Sequence, residues 1–121
     1  MAKFEAIDIA KPIENGVVSF KVLEWDERVS KSGDDVAVVS LLCKDSKGAS
    51  KEIKDTFLLE NPYKLGVFAK AIGEYAQYQS GVMGDEHVVG KSGKCRIHRR
   101  EFEAEDGKRT VVAIKEYIYK N

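Results

Sequence analysis

Val18, Phe20 and Val22 alternate with Ser19 and Lys21, the two-residue period of a strand with one face buried. The predicted first strand runs from Val17 to Trp25. Val36 to Cys43 is a nearly unbroken apolar run, which predicts a central strand covered on both sides. Glu52 to Leu59 reads as a third strand. Between these runs, Asp26 to Asp35 is a polar loop around Gly33, and Asp45-Ser-Lys-Gly48 is a turn. The period then changes. Leu65, Phe68, Ala69, Ile72 and Ala76 fall at helical spacing and make one apolar face. Asn61 suits the N-cap, and Pro62 suits the first helical position, where a missing N–H leaves nothing unpaired. Gly66 and Gly73 each weaken this helix by about 1 kcal/mol, and Gly81 is its predicted stop. Lys94 to Phe102 alternates again as a fourth strand. Asp106-Gly107 is a turn, and Thr110 to Tyr119 is a fifth strand. Residues 1–15 are a mixed lead-in containing Pro12 and ending at the turn signal Asn15-Gly16.

The predicted order is therefore β-β-β-α-β-β. A mainly β chain with its one helix between the third and fourth strands fits the OB-fold, a five-stranded, partly open Greek-key barrel. Another small α+β arrangement of the same elements stays open.

Composition narrows this picture. The 121 residues suit one domain spanning 1–121. A hydrophobic fraction of 43% with 33% charged residues is enough apolar material to fold. Twenty Lys and Arg against 20 Asp and Glu give zero net charge, which excludes a protein basic over its whole surface but not a local basic patch. The first residues have no apolar signal-peptide core, and runs such as Val36–Val39 are too short to span a bilayer, so a cytoplasmic location is expected. Cys43 and Cys95 are then expected to be two small buried thiols.

The most informative local feature is Gly90-Lys-Ser-Gly-Lys-Cys-Arg-Ile-His-Arg-Arg100. Positions 91–100 hold five cations and no acid, whereas 101–106 hold four acids and no cation. Strand parity turns Cys95 and Ile97 inward and puts Lys94, Arg96, His98 and Arg100 on the other face. Arg99 has inward parity unless a bulge re-aims it. Like charges on one strand face repel unless an anion neutralises them, and a phosphate backbone does so. The competing reading is a solvated face balanced by Glu101, Glu103 and Glu105.

Aromatic residues add to the case. Trp25 has the parity of Ser19 and Lys21, while Tyr117 and Tyr119 share a face with Lys115. Rings beside cations are what a single strand needs, with bases stacking while Lys and Arg follow the phosphates. The plainer alternative is that Trp25 or Tyr117 caps the core with its polar tip outward. Two loops that would flank an OB cleft carry Arg28, Lys31, Lys108 and Arg109, mixed with acids.

Sharper motifs fail. Gly90-Lys91-Ser92 resembles the end of a P-loop, but position 85 is Asp where that pattern needs Gly. Cys95 and His98 have opposite parity, and no Cys-x-x-Cys pair exists, so no zinc site is expected. His87 has no partner nucleophile. No catalytic residue, metal or cofactor is expected, and the protein is expected not to be an enzyme.

The chain resembles the small phage and prophage single-stranded DNA-binding proteins of OB-fold type. The resemblance is carried by Lys31-Ser-Gly33 before an apolar strand, by Ile53-Lys-Asp-Thr-Phe-Leu-Leu59, and by Asn61-Pro62 opening a helix with Ala71-Ile-Gly73. It continues through Val89-Gly-Lys91, the basic strand, Asp106-Gly107 and a closing strand ending in tyrosines. It covers roughly residues 12–119. It implies binding of single-stranded DNA without sequence preference, in phage replication or recombination, with replication or recombination proteins and a homodimer as candidate partners. Tyr119-Lys-Asn121 departs from the acidic tail many members use to recruit partners. The expected DNA contacts are Trp25, Arg28, Lys31, Lys94, Arg96, His98, Arg99, Arg100, Lys108, Arg109, Tyr117 and Tyr119. The alternatives are an OB-like protein-interaction module and a single-stranded RNA binder.

Overall fold

The computed structural model describes residues 1–3, 16–105 and 107–119, with backbone alone at 102, 104 and 109. The lead-in at 4–15, with the features read there, lies outside the described residues. Five strands follow the predicted order: β1 (Gly16–Val29), β2 (Asp35–Lys44), β3 (Ser50–Leu58), β4 (Ser92–Ala104) and β5 (Gly107–Ile118). Three short helices, α1 (Tyr63–Ala71), α2 (Tyr75–Gln79) and α3 (Asp85–Val88), connect β3 to β4. All neighbouring strands are antiparallel, in the order β3-β2-β1-β4-β5. The sheet curls into a half-barrel. Its two edge strands meet where the Tyr117 phenol on β5 donates to Asp55 Oδ2 on β3 at 2.5 Å. Lys64 of α1 pairs with the other oxygen of the same carboxylate.

The alternating positions form the core. Val18, Phe20 and Val22 from β1 meet Val39, Leu41 and Cys43 from β2, with Ile53, Phe57, Cys95 and Ile97 beside them. Helix α1 fills the inside of the curl with Leu65, Phe68 and Ala69, and Ile72 follows directly after it. Phe68 lies at the centre, its ring 5.0 Å from Phe57, 5.2 Å from Tyr117 and 6.1 Å from Phe20. The helix sits directly on β4, because Gly93 has no side chain there. A Cβ at that position would come within 2.7 Å of the Ala71 carbonyl oxygen and 2.9 Å of the Phe20 ring.

Cys43 and Cys95 are both fully buried, as expected. They flank β1, opposite Phe20 and Val18 respectively. The Cys43 thiol beside it, and then burial, push the Cys95 thiol up.

Two expectations need correcting. The helix does not run unbroken to Gly81. It ends after Ala71, where Gly73 takes a φ of +77° that only glycine adopts at no cost. The Glu74 N–H then donates to Ala69 O at 2.8 Å. Pro62, not Asn61, occupies the N-cap, and Ala76 is exposed. Gly66 also has a packing role. A Cβ there would meet the Tyr78 ring at 2.8 Å, and the Tyr78 hydroxyl donates to Pro62 O at 2.9 Å. The second correction concerns Asp26–Asp35. Asp26, Glu27, Arg28 and Val29 belong to β1, because each pairs with a residue of β2, so the loop shrinks to residues 30–34.

Burial above all, and then the Asp55 carboxylate, push the Tyr117 phenol above its ordinary value of 10.0. The folded protein therefore keeps a proton that the unfolded chain releases near pH 10.0. This contribution to stability is complete below that pH and is lost as pH rises above it. Tyr117→Phe is expected to cost about 1–2 kcal/mol at neutral pH through the lost hydrogen bond. It is also expected to flatten the alkaline decline relative to wild type. Urea unfolding of both proteins at several pH values from neutral to 11 checks the two effects; parallel declines would contradict the second.

Candidate nucleic-acid interface

Residues on the outer side of the sheet are ordered by register. Ser19 of β1 lies opposite Lys44 of β2 on one side and Lys94 of β4 on the other. In the next row, Lys21 lies opposite Leu42 and Ser92. Three lysines, Lys21, Lys44 and Lys94, thus surround the Ser19 hydroxyl, and all three are exposed. Among the described residues none of them makes an ion pair. Neighbouring strands are about 4.8 Å apart, so Lys44 and Lys94 are rooted roughly 10 Å from each other across β1. Like charges this close raise the energy of the face until an anion occupies it.

The other half of the same face is different. Glu24 lies opposite Ser40, Asp26 opposite Val38, and Arg28 opposite Val36. Arg28 is held by Asp26 at 2.6 Å. On β1 and its direct partners the outer face therefore divides into a basic half, over Val17–Lys21, and an acidic half, over Glu24–Arg28, while β3 adds Glu52 beside Leu42 and Lys54 beside Ser40.

The residues expected to contact DNA distribute as follows. Lys94 belongs to the basic half. Arg96 is next to it, opposite Val17, with its guanidinium on Glu116 at 2.8 Å. Cys95 and Ile97 point into the core, so the parity of β4 runs as predicted. Beyond Ile97, β4 pairs with β5 alone among the described residues. His98, Arg99, Arg100 and Lys108 lie in this part of the β4–β5 ladder, opposite Ala113, Val112, Val111 and Glu103. Arg100 and Lys108 are exposed, whereas His98 and Arg99 are half-buried. Arg109 stands opposite Phe102 in the same ladder, and its side chain lies outside the described residues. Lys31 is exposed in the β1–β2 turn, and Arg28 is tied to Asp26 as above.

The face read for Trp25 and Tyr117 is corrected, for one shared reason. The β1–β2 register shifts at Leu23, so Trp25 pairs with the buried Val39 and turns to the inner side. There it packs half-buried against the core, its Nε1 donating to Glu27 Oε2 at 3.2 Å. The β4–β5 register shifts at Lys115, so Tyr117 pairs with Cys95 and is 5% exposed, a core ring with no face for a base. Tyr119 is partly exposed and sits by Lys70, whose Nζ is 5.0 Å from its ring and 4.7 Å from that of Tyr75. The structure thus separates Trp25 and Tyr117 from the basic half. It also brings in Lys21 and Lys44, which the sequence reading left out of the site. Their signal was present, since each adjoins a buried residue, Lys21 between Phe20 and Val22 and Lys44 after Cys43.

No protein-family model matches the chain, and no curated protein sequence matches it.

Proposed function

We propose that the half-barrel is an OB-fold and that the protein binds single-stranded DNA on the basic half of its outer face, without catalysis. The fold assignment is supported by the strand order, by the contact between β3 and β5 and by α1 filling the inside between β3 and β4. The observation that carries the function is the cluster of Lys21, Lys44 and Lys94 around Ser19, exposed and, among the described residues, without an ion pair, although Glu52 stands in the next row. Phosphates neutralise these three charges, and released counterions drive the complex. Backbone contacts of this kind read no base sequence. Because Trp25 and Tyr117 face elsewhere, stacking contributes less than the sequence suggests, and Tyr119 is the ring of the expected set still open to a base. The activity suits replication or recombination, where single strands are exposed.

Anisotropy of labelled oligo-dT across 50–500 mM salt tests this reading. Three phosphate contacts predict a log–log slope near about −2, at about 0.7 counterions per contact on a single strand. Absent binding at the lowest salt, or binding indifferent to salt, would overturn it. A ribo-oligomer that competes better than its deoxy counterpart would redirect it to RNA.

A further inference from the structure

Two clefts meet at Trp25. One, of about 480 Å³, is largely apolar, with Trp25, Leu59, Leu65, Tyr78, Val82 and Met83 in its walls. The other, of about 410 Å³, lies between β1 and the start of α3, where Leu23 and Val89 face the acids Glu24, Asp26 and Asp85. Leu23, Val82 and Val89 expose 37%, 66% and 44% of their surface, so the wall is apolar and open. Glu27 lines the apolar cleft as well. The cations in these walls are Arg28, already paired with Asp26, and Lys54.

The backbone beside the clefts is also unpaired among the described residues. β4 pairs with β1 over Gly16–Lys21, and Val22 bonds to Gly90 and Lys91. Beyond Val22, no described strand or loop takes up that edge of β1 with backbone hydrogen bonds. Among the described residues, Leu23 to Val29 is thus an edge whose N–H and C=O groups on that side have no backbone partner, the template on which an extended peptide adds as a further strand.

We propose that this edge binds an extended peptide of alternating apolar and basic residues. Side chains of a strand alternate between two faces. Those turned inward would lie against Trp25, Val82 and Met83, and those turned outward would meet Glu24 and Asp26. The acid excess selects lysine or arginine at the outward positions, and a nucleic-acid strand is disfavoured there for the same reason. The proposal is independent of the DNA reading, which uses the opposite half of the outer face.

The probe is the peptide Lys-Leu-Lys-Phe-Lys-Leu-Lys, followed both by the emission of Trp25, the one tryptophan, and by anisotropy of a labelled copy. Saturable binding with a shift in Trp25 emission is expected, and the twin with glutamate for every lysine should bind at least tenfold more weakly. Glu24→Lys with Asp26→Lys, and separately Val82→Lys, all at exposed positions, should each weaken binding at least tenfold. A copy N-methylated at alternate amides should not bind. No emission shift, equal binding of the acidic twin, unchanged affinity in both variants, or full binding of the methylated copy would each overturn the proposal. So would oligo-dT that shifts Trp25 emission and displaces the peptide, since the cleft would then belong to nucleic acid.

Discussion

Phe68→Ala is expected to lower the unfolding free energy by about 3–5 kcal/mol, the range for removing a large buried ring. Phe68 is fully buried, and three aromatic rings lie within 6.1 Å of its centroid. Those neighbours come from β1, β3 and β5, so they cannot all follow the side chain into the space it leaves. The cost should therefore fall at the upper end of the range, with about 0.5–1.5 kcal/mol from each lost ring pairing contributing. Domains of this kind are stable by about 5–15 kcal/mol, so the variant should be marginal. A drop of roughly 10–20 °C in the melting temperature should accompany it. Phe68→Leu keeps most of the volume and should cost about 1–2 kcal/mol. Urea and thermal unfolding measure both. Equal, small effects would mean that α1 is not the plug of the half-barrel.

Lys44→Gln combined with Lys94→Gln is expected to weaken oligo-dT binding about 60-fold in 50 mM salt. The estimate follows from releasing about 0.7 counterions per contact into dilute salt, worth roughly eightfold for each lysine. The same arithmetic predicts about a threefold effect at 0.5 M, so the log–log slope should lose about 1.4. Both residues are exposed, which keeps the loss of affinity apart from any loss of folding. Lys108→Gln on the β4–β5 ladder is the control, because Lys108 faces Glu103 away from the cluster. A salt slope unchanged in the double variant would place the phosphates elsewhere.

The succession of strands along the chain and most of the core were legible in the sequence because alternation records which face of a strand is buried. Val18, Phe20, Cys95 and Ile97 follow the period without interruption, and all are buried. The candidate site was harder to read. A bulge adds one residue to one strand, and every later side chain changes face. The extra residues, Leu23 and Lys115, leave a faint trace: the inward positions Val22 and Trp25, like Ile114 and Tyr117, are three apart rather than two. A period-two reading extrapolated through either bulge sends the ring after it to solvent. The cations of β4 escaped this error because the extra residues lie on its partners. The cluster itself was hidden for another reason. Lys21, Lys44 and Lys94 come from three strands, and only their register makes them neighbours. The polar run Asp26–Val29 looked like a loop because it lacks apolar alternation, and its pairing with Asp35–Val38 across the hairpin holds it in the sheet.

Gly93 reaches beyond this one molecule. The distance between α1 and β4 is set there by the lack of any side chain, with the Ala71 carbonyl in the place a methyl group would need. Any sequence that keeps this seating must keep glycine at that point of its fourth strand, whatever its surface charges have become. A chain with the same strand order but a larger residue there has to raise its helix off the sheet and refill the space around Phe68. One backbone position thus separates true variants of this architecture from chains that share only its outline.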